Sequence, residues 1–401
     1  MEKSLDRKLA ALRADPQADV FIIADAKDAD MAFGLAAPGP ASPEMVLGAE
    51  ARFRSLAEFR ELIRQVVRQG VVDIMLMSAS TNEVLTIEER LFDSSAVTPS
   101  ARTNDTTDIW AVQGGRYLAA PSSPFRSATL DHIQCGKLEC EGTERRRGAD
   151  LGLYSITFNN DTDRDQRTLE AFKSFRLEAE AKGFRYFLEV FDPNLPEAVD
   201  VERMPRFVND CIARSLAGVT RAGRPLFLKM VYHGPRAMEE LCHYDRDLIA
   251  GILGGSAGTT LDAFKLIHEA QKHGARVALF GRKINQAEHQ LAFVEFLRLI
   301  VEHVLGPEDA VRAYHATLGE LGIQPRRRLE QDLVLETSVM RYATAGTTAY
   351  SLPAAPAPDG GRPVANRPAT PAPRPVAAAP PDFARMTPQE RLEYHRRRLG
   401  L

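Results

Sequence analysis

The most constraining feature of the sequence is a repeated alternation of short apolar runs with longer segments of helical period. This alternation is typical of βα units around a parallel sheet, because each strand is covered by helices on both faces. The pattern predicts eight strands, at Val20–Ala24, Val72–Met77, Ile109–Gln113, Leu151–Phe158, Tyr186–Phe191, Leu226–Tyr232, Ile249–Leu253 and Val277–Phe280. It predicts helices at Ser55–Gln69, Asp165–Lys182, Arg203–Ala217, Pro235–Tyr244, Thr260–Lys272 and Asn285–Val304. Eight units fit a closed (β/α)8 TIM barrel, with a doubly wound open sheet as the alternative.

Composition places the chain among ordinary globular proteins. Of the 401 residues 44% are hydrophobic and 26% are charged, and the formal charge is only −3. A chain this close to neutral has no overall positive field for a nucleic acid or an anionic membrane, so we expect neither as a partner. The sequence has no apolar run of membrane-spanning length and no apolar signal-peptide core near its start, and we expect a cytoplasmic protein. The four cysteines form no CxxC pair, and we expect reduced thiols.

A compositional break near Gly346 predicts three regions. Residues 1–345 form the barrel domain, 346–381 form a flexible Pro/Ala-rich linker, and 382–401 form a short amphipathic helix. Ten of the 25 prolines lie in residues 353–381, where few apolar groups remain to order the chain. Thr387-Pro-Gln-Glu390 then has the form of a capping box. This layout resembles tails that dock enzymes onto a partner or a bacterial microcompartment shell, and the alternative is a solvated extension.

Lys229 is the residue that most needs a functional explanation. It is a lone lysine inside an apolar strand, in a chain where ten of the 51 basic residues are lysines. A strand covered on both faces does not readily accommodate an ammonium group. Burial favours the neutral amine, which attacks a carbonyl and forms a Schiff base. The alternative is that Lys229 lies at the strand end and reaches solvent or pairs with a carboxylate.

Two glycine-containing loops follow the next two strands. Gly254, Gly255 and Ser256 connect an apolar strand to a helix, and Gly281 with Arg282 ends the last strand. Glycine lets a ligand approach the backbone closely, and backbone N–H groups together with an arginine suit a phosphate. These five residues are therefore candidate phosphate ligands, although a glycine turn between a strand and a helix can also be only a turn.

A lysine on the sixth strand, a Gly-Gly-Ser loop after the seventh and a Gly-Arg pair after the eighth resemble a known superfamily. It contains the class I aldolases of the deoxyribose-phosphate, tagatose-bisphosphate and archaeal-type fructose-bisphosphate types. The resemblance spans roughly residues 20–305 and is most specific over Leu226–Glu288. It implies a TIM barrel that breaks or forms a carbon–carbon bond through a lysine imine, usually on a phosphorylated sugar, without a cofactor. Lys229 would be the Schiff-base lysine.

The resemblance also implies a proton shuttle. Asp25 ends the first strand, where archaeal-type enzymes carry a catalytic aspartate, and we rank it first. Glu189 is a charge within an apolar strand and resembles a glutamate of tagatose-bisphosphate aldolases, and a buried ion pair is its alternative role. Archaeal-type enzymes have a tyrosine where this chain has Phe191. The proton donor is therefore open between Tyr232, Asp192 and Glu189.

Other functions and contacts remain open from the sequence. A metal-dependent aldolase would need clustered ligands, but the histidines show no HxH or HxxxH spacing, so we predict no metal site. A barrel that binds a sugar phosphate without turning it over, as a scaffold or regulator, is the second function considered. The partners predicted are a phosphorylated sugar or small carbonyl compound and a second copy of the chain. We expect the long stretch from Thr81 to Arg147 to form a lid or a subunit contact.

Overall fold

Eight parallel strands close into a barrel in the computed structural model of the chain, which describes residues 1–40, 53–112, 114–255, 258–337, 390, 393 and 394. The strands are β1 Ile22–Lys27, β2 Ile74–Met77, β3 Thr98–Arg102, β4 Leu151–Thr157, β5 Arg185–Phe191, β6 Leu228–Met230, β7 Gly251–Leu253 and β8 Val277–Phe280. The pairing of Ile22 in β1 with Val277 in β8 closes the ring. The predicted (β/α)8 TIM barrel is confirmed.

Helices surround the barrel and cover its ends. They are α1 Ser4–Ala14, α2 Asp30–Phe33, α3 Leu56–Gln69, α4 Ala79–Asn82, α5 Leu130–Cys135, α6 Thr162–Ala181, α7 Met204–Ala217, α8 Pro235–Tyr244, α9 Thr260–Lys272, α10 Arg282–Gln286, α11 Gln290–Val301, α12 Pro307–Glu320 and α13 Leu329–Asp332. The predictions for α8 and α9 match to the residue. The single helix predicted at Asn285–Val304 is wrong, because Ala287 is extended and separates α10 from α11.

The third strand differs from the prediction. The strand predicted at Ile109–Gln113 is wrong, since Thr107–Ile109 forms a 3-10 helix and residues 110–112 belong to no strand. Thr98-Pro-Ser-Ala-Arg102 takes the position between β2 and β4 instead. Its small and polar side chains give no apolar run, and tertiary pairing overrides the weak local preference. The consequence is that an arginine, Arg102, ends a barrel strand and lies buried.

The segment 103–150 between β3 and β4 reaches across the end of the barrel where the strands finish. It contains a two-stranded hairpin, Asp105–Thr106 with Pro124–Phe125. The Ala111 N–H donates to the Ala32 carbonyl just after β1, and the Asn194 side-chain amide, just after β5, donates to the Ala120 carbonyl. The segment 103–150, called the insertion below, therefore contacts loops on two sides of the barrel mouth.

The insertion also holds a disulfide between Cys135 and Cys140. Helix α5 ends at Cys135, and Gly136 follows in a left-handed conformation that turns the chain back, so the two Cα atoms lie 6.1 Å apart. The expectation of four reduced thiols is wrong for this pair. Cys211 and Cys242 are free thiols.

Helix α1 closes the opposite end of the barrel, where the strands begin. Its Leu5, Leu9 and Leu12 join the cluster of apolar side chains that fills the barrel interior. The Lys8 ammonium lies 2.9 Å from a carboxylate oxygen of Asp73, and the Arg298 guanidinium from α11 lies 2.7 Å from the same oxygen. The buried carboxylate of Asp73 thus links helix α1, the barrel and helix α11.

The predicted linker at 346–381 and terminal helix at 382–401 lie outside the described residues, apart from Glu390, Glu393 and Tyr394, which are helical. Among the helices that the structure describes, none is long and apolar enough to cross a membrane.

Candidate active site

Lys229 points into the barrel near the end where the strands finish. In β6 it is the register partner of Glu189 in β5, which is in turn the partner of Ser155 in β4. Partners in register on neighbouring strands point to the same face, so the three side chains meet inside the barrel. The Lys229 ammonium lies 2.5 Å from Glu189 Oε1, and Lys229 is only 6% exposed. Lys229 thus pairs with a carboxylate, as its structural alternative predicted, and its role as a Schiff-base lysine stays a prediction.

The two oxygens of Glu189 have different partners. Oε1 faces Lys229, whereas Oε2 accepts a 2.6 Å hydrogen bond from the Ser155 hydroxyl and lies 3.4 Å from the Arg102 guanidinium. Arg102 also donates through Nε to Asp28 Oδ2 at 2.6 Å. Asp28, Arg102, Glu189 and Lys229 therefore form a buried chain of alternating negative and positive charges.

Burial and neighbouring charges act against each other at Asp28. Burial disfavours its carboxylate, but the positive charges of Arg102 and Lys229 outweigh this effect and hold its pKa below the ordinary value. Asp105 lies 4.0 Å from Arg102 and shows the opposite balance. Burial raises its pKa to about 6, because the charge of Arg102 offsets only part of the cost of desolvation. Near neutral pH the site therefore holds an ionised Asp28.

An open cavity of about 590 Å³ lies above these charges. Lys229, Glu189, Arg102 and Asp28 contribute to its wall. The loops after β7 and β8 also line the cavity, through Gly254, Gly255, Gly281 and Arg282. Four of the five predicted phosphate ligands are thus brought to one cavity with Lys229, and Ser256 lies outside the described residues.

Glycine is required in these loops for close packing. A Cβ on Gly254 would lie 2.2 Å from the Phe280 ring, and a Cβ on Gly281 would lie 2.6 Å from the Ala26 carbonyl oxygen. The Gly254 N–H already donates to the Leu279 carbonyl. Gly254 therefore allows the Phe280 ring to pack closely against the backbone, and its role as a phosphate ligand stays a prediction, as does that of Arg282.

The structure does not bring Asp25 to the cavity. Ile22 and Ala24 of β1 face the barrel interior, so Ala26 and Asp28 continue that face, and Asp25 and Lys27 point outward under the helices. Asp25 and Lys27 are fully buried there and pair at 2.9 Å. Burial raises the pKa of Asp25 and lowers that of Lys27. The carboxylate that β1 supplies to the cavity is Asp28, three residues further on.

Tyr232 is also directed away from the cavity. It packs in the apolar cluster between the barrel and its helices, where burial raises its pKa. Asp192, another candidate donor, lies 2.9 Å from the His233 ring. Glu189 is the one of the three candidate proton donors that lines the cavity. Within the described part of the chain, no three His, Cys, Asp or Glu side chains are grouped as metal ligands.

Sequence reasoning missed Asp28, Arg102 and Ser155. The signal for Asp28 was present, because side chains alternate along β1 and place it on the interior face with Ala24 and Ala26. The polar segment containing Arg102 gave no strand signal. Ser155 could have been paired with Glu189 once β4 and β5 were aligned in parallel.

The fold and the cavity define a (β/α)8 barrel with a buried lysine–carboxylate pair at its mouth. No protein-family model and no curated protein matches the sequence. Among solved structures, the chain is similar to an archaeal fructose 1,6-bisphosphate aldolase, with TM-score 0.52 and 14% identity over 74% of this chain and 99% of that one. It is similar to a Schiff-base-forming fructose-1,6-bisphosphate aldolase, with TM-score 0.51 and the same identity and coverage. The predicted resemblance to class I aldolases is thus confirmed for the fold.

Proposed function

We propose that this protein is a Schiff-base (class I) aldolase-type lyase that acts on a phosphorylated sugar or related carbonyl compound. The observation that carries the proposal is the position of Lys229. Its amine lies buried in the wall of a cavity, 2.5 Å from a carboxylate that can take its proton, and two glycine loops and an arginine line the same cavity. The aldolase fold of the similar structures supports the same chemistry.

The reaction would begin with proton transfer from the Lys229 ammonium to Glu189. The neutral amine then adds to the substrate carbonyl, and loss of water gives an iminium ion. The iminium nitrogen accepts the electron pair of the carbon–carbon bond that breaks, while a carboxylate takes the proton of the substrate hydroxyl. Glu189 and Asp28 are the carboxylates that the cavity offers for this step.

The phosphate would bind at the loops after β7 and β8. Gly255 and Gly281 offer backbone that a ligand can approach closely, and Arg282 supplies a positive charge. This placement would direct the carbonyl of a phosphorylated substrate toward Lys229.

Borohydride trapping tests the proposal. The protein would be incubated with a series of ketose and aldose phosphates, reduced, digested and analysed by mass spectrometry. We expect a covalent adduct on the peptide that contains Lys229, and none in Lys229→Met. Lys265→Met, which alters a lysine on the outer helix α9, is the matched control and should retain the adduct.

Two outcomes would reject the proposal. Binding of a sugar phosphate without an adduct or turnover would favour a scaffold or regulator. The close Glu189–Lys229 ion pair is compatible with a site that binds a ligand without reacting. Turnover that is lost on treatment with a chelator, again without an adduct, would indicate metal-dependent chemistry.

A further inference from the structure

Arg102 contacts three of the buried polar side chains around Lys229, namely Asp28, Ser155 and Glu189. It donates to Asp28 at 2.6 Å and to the Ser155 hydroxyl at 3.0 Å, and it lies 3.4 Å from Glu189 Oε2. It is 3% exposed, so these contacts are made away from bulk water. A buried guanidinium with fixed partners constrains their geometry more strongly than an exposed one does.

The contacts divide the Glu189 carboxylate into two functional halves. Arg102 and Ser155 hold Oε2, which leaves Oε1 directed at the Lys229 ammonium. A carboxylate held at one oxygen cannot rotate away when the other oxygen takes or returns a proton. Arg102 therefore determines where the proton acceptor of the site is located.

Arg102 also affects the charge that Lys229 experiences. The charged groups around Lys229 are Glu189 from β5, Asp28 from the end of β1, Arg102 from β3 and Arg282 after β8, all of which line the same cavity. Asp105 from the insertion lies against Arg102. These make three carboxylates and two arginines around Lys229, so Arg102 reduces the net negative charge that faces the amine from two to one.

We propose that Arg102 is the positioning residue of this site. It fixes Glu189 for proton exchange with Lys229, and its positive charge offsets the second carboxylate, Asp28, so that the Lys229 amine is not held in its charged form. This inference rests on the proposed Schiff-base function. Without Arg102, two carboxylate charges around Lys229 would have no cation to compensate them. They would stabilise the ammonium and oppose its conversion to the nucleophile.

The test measures the ionisation of Lys229 separately from catalysis. Reductive methylation with formaldehyde and cyanoborohydride occurs only on a neutral amine, so the pH midpoint of methylation, read on the Lys229 peptide, follows that ionisation. In Arg102→Met we expect the midpoint to rise by about one pH unit or more. In Asp28→Asn it should fall, and in the Asp28→Asn/Arg102→Met double variant it should return towards the wild-type value.

Further variants separate position from charge. Arg102→Lys keeps the charge but not the three-partner geometry, so the methylation midpoint should stay near that of the wild type while imine trapping slows. Arg64→Met on the outer helix α3 is the matched control and should change neither quantity. Methylation rates that scale equally at every pH in Arg102→Met, or an unmoved midpoint in Asp28→Asn, would overturn the inference. Failure of the wild type to form an imine with any ketose or aldose phosphate would instead overturn the proposed function, since methylation by formaldehyde does not require a sugar phosphate to bind.

Discussion

Replacing Asp73 by asparagine should destabilise the fold in a pH-dependent manner. Asp73 Oδ2 accepts hydrogen bonds from the Lys8 ammonium, the Arg298 guanidinium and the Ile23 N–H. Burial disfavours the Asp73 carboxylate, but Arg298 and Lys8 outweigh it and lower its pKa from 3.8 to about 2. At about 1.4 kcal/mol for each pKa unit, the ionised form contributes about 2 kcal/mol to the free energy of unfolding.

The sign of the pH dependence follows from the lowered pKa. The contribution is present above about pH 4 and is lost as the pH falls towards 2, because the unfolded chain then binds a proton that the folded chain does not. Arg298 is the stronger partner, since burial also lowers the pKa of Lys8, to about 8, and Lys8 loses its charge above that pH. The Asp73→Asn variant keeps the side-chain shape but removes the charge that titrates.

Urea unfolding between pH 2 and pH 6 measures this contribution. We expect the wild type to exceed Asp73→Asn by about 2 kcal/mol or more at pH 6, since breaking a buried pair typically costs about 3–5 kcal/mol, and the difference should shrink by about 2 kcal/mol at pH 2. Asp210→Asn, at an exposed position on α7, should show no such change. A wild-type advantage that is constant over this pH range would refute the reasoning.

Two further predictions concern the cavity. Glu189→Gln keeps a hydrogen-bond acceptor for Ser155 but loses the carboxylate that accepts a proton, so kcat for bond cleavage should fall about 100- to 10,000-fold. Borohydride should still trap an adduct. Loss of the adduct at every pH would contradict this prediction. Gly281→Ala would place a Cβ 2.6 Å from the Ala26 carbonyl oxygen, so KM for a phosphorylated substrate should rise about tenfold or more, equivalent to about 1.4 kcal/mol. The same KM increase for an unphosphorylated analogue would show that Gly281 does not serve the phosphate.

The sequence was most informative where a residue conflicted with its surroundings. Lys229 and Glu189 are charges inside apolar strands, and this conflict identified both before any contact was known. The glycine loops were found for a similar reason, because glycine permits backbone approaches that other residues cannot make. These predictions depended on local composition, which the sequence displays directly.

Asp25 and Asp28 could not be told apart from local composition alone. Assigning one of them to the cavity needs the side-chain direction in β1, and an error of one residue in the alternation exchanges the two faces. The strand that ends at Arg102 was missed because its pairing comes from barrel closure. The charge chain through Arg102 could not be inferred without knowing which strands are neighbours, whereas Asp25 and Lys27 lie on one face of the same strand, so their pairing follows once that strand is placed.

The leucines of α1 pack against interior side chains supplied by strands as late in the chain as β8, including Leu279. Helix α1 precedes every barrel strand along the chain, yet its docking surface is complete only after β8 has been made. At about 5–20 residues per second this interval lasts on the order of tens of seconds. A helix made before the barrel is thus among the last elements to be sheltered during synthesis, and its three leucines are available to chaperones throughout that time.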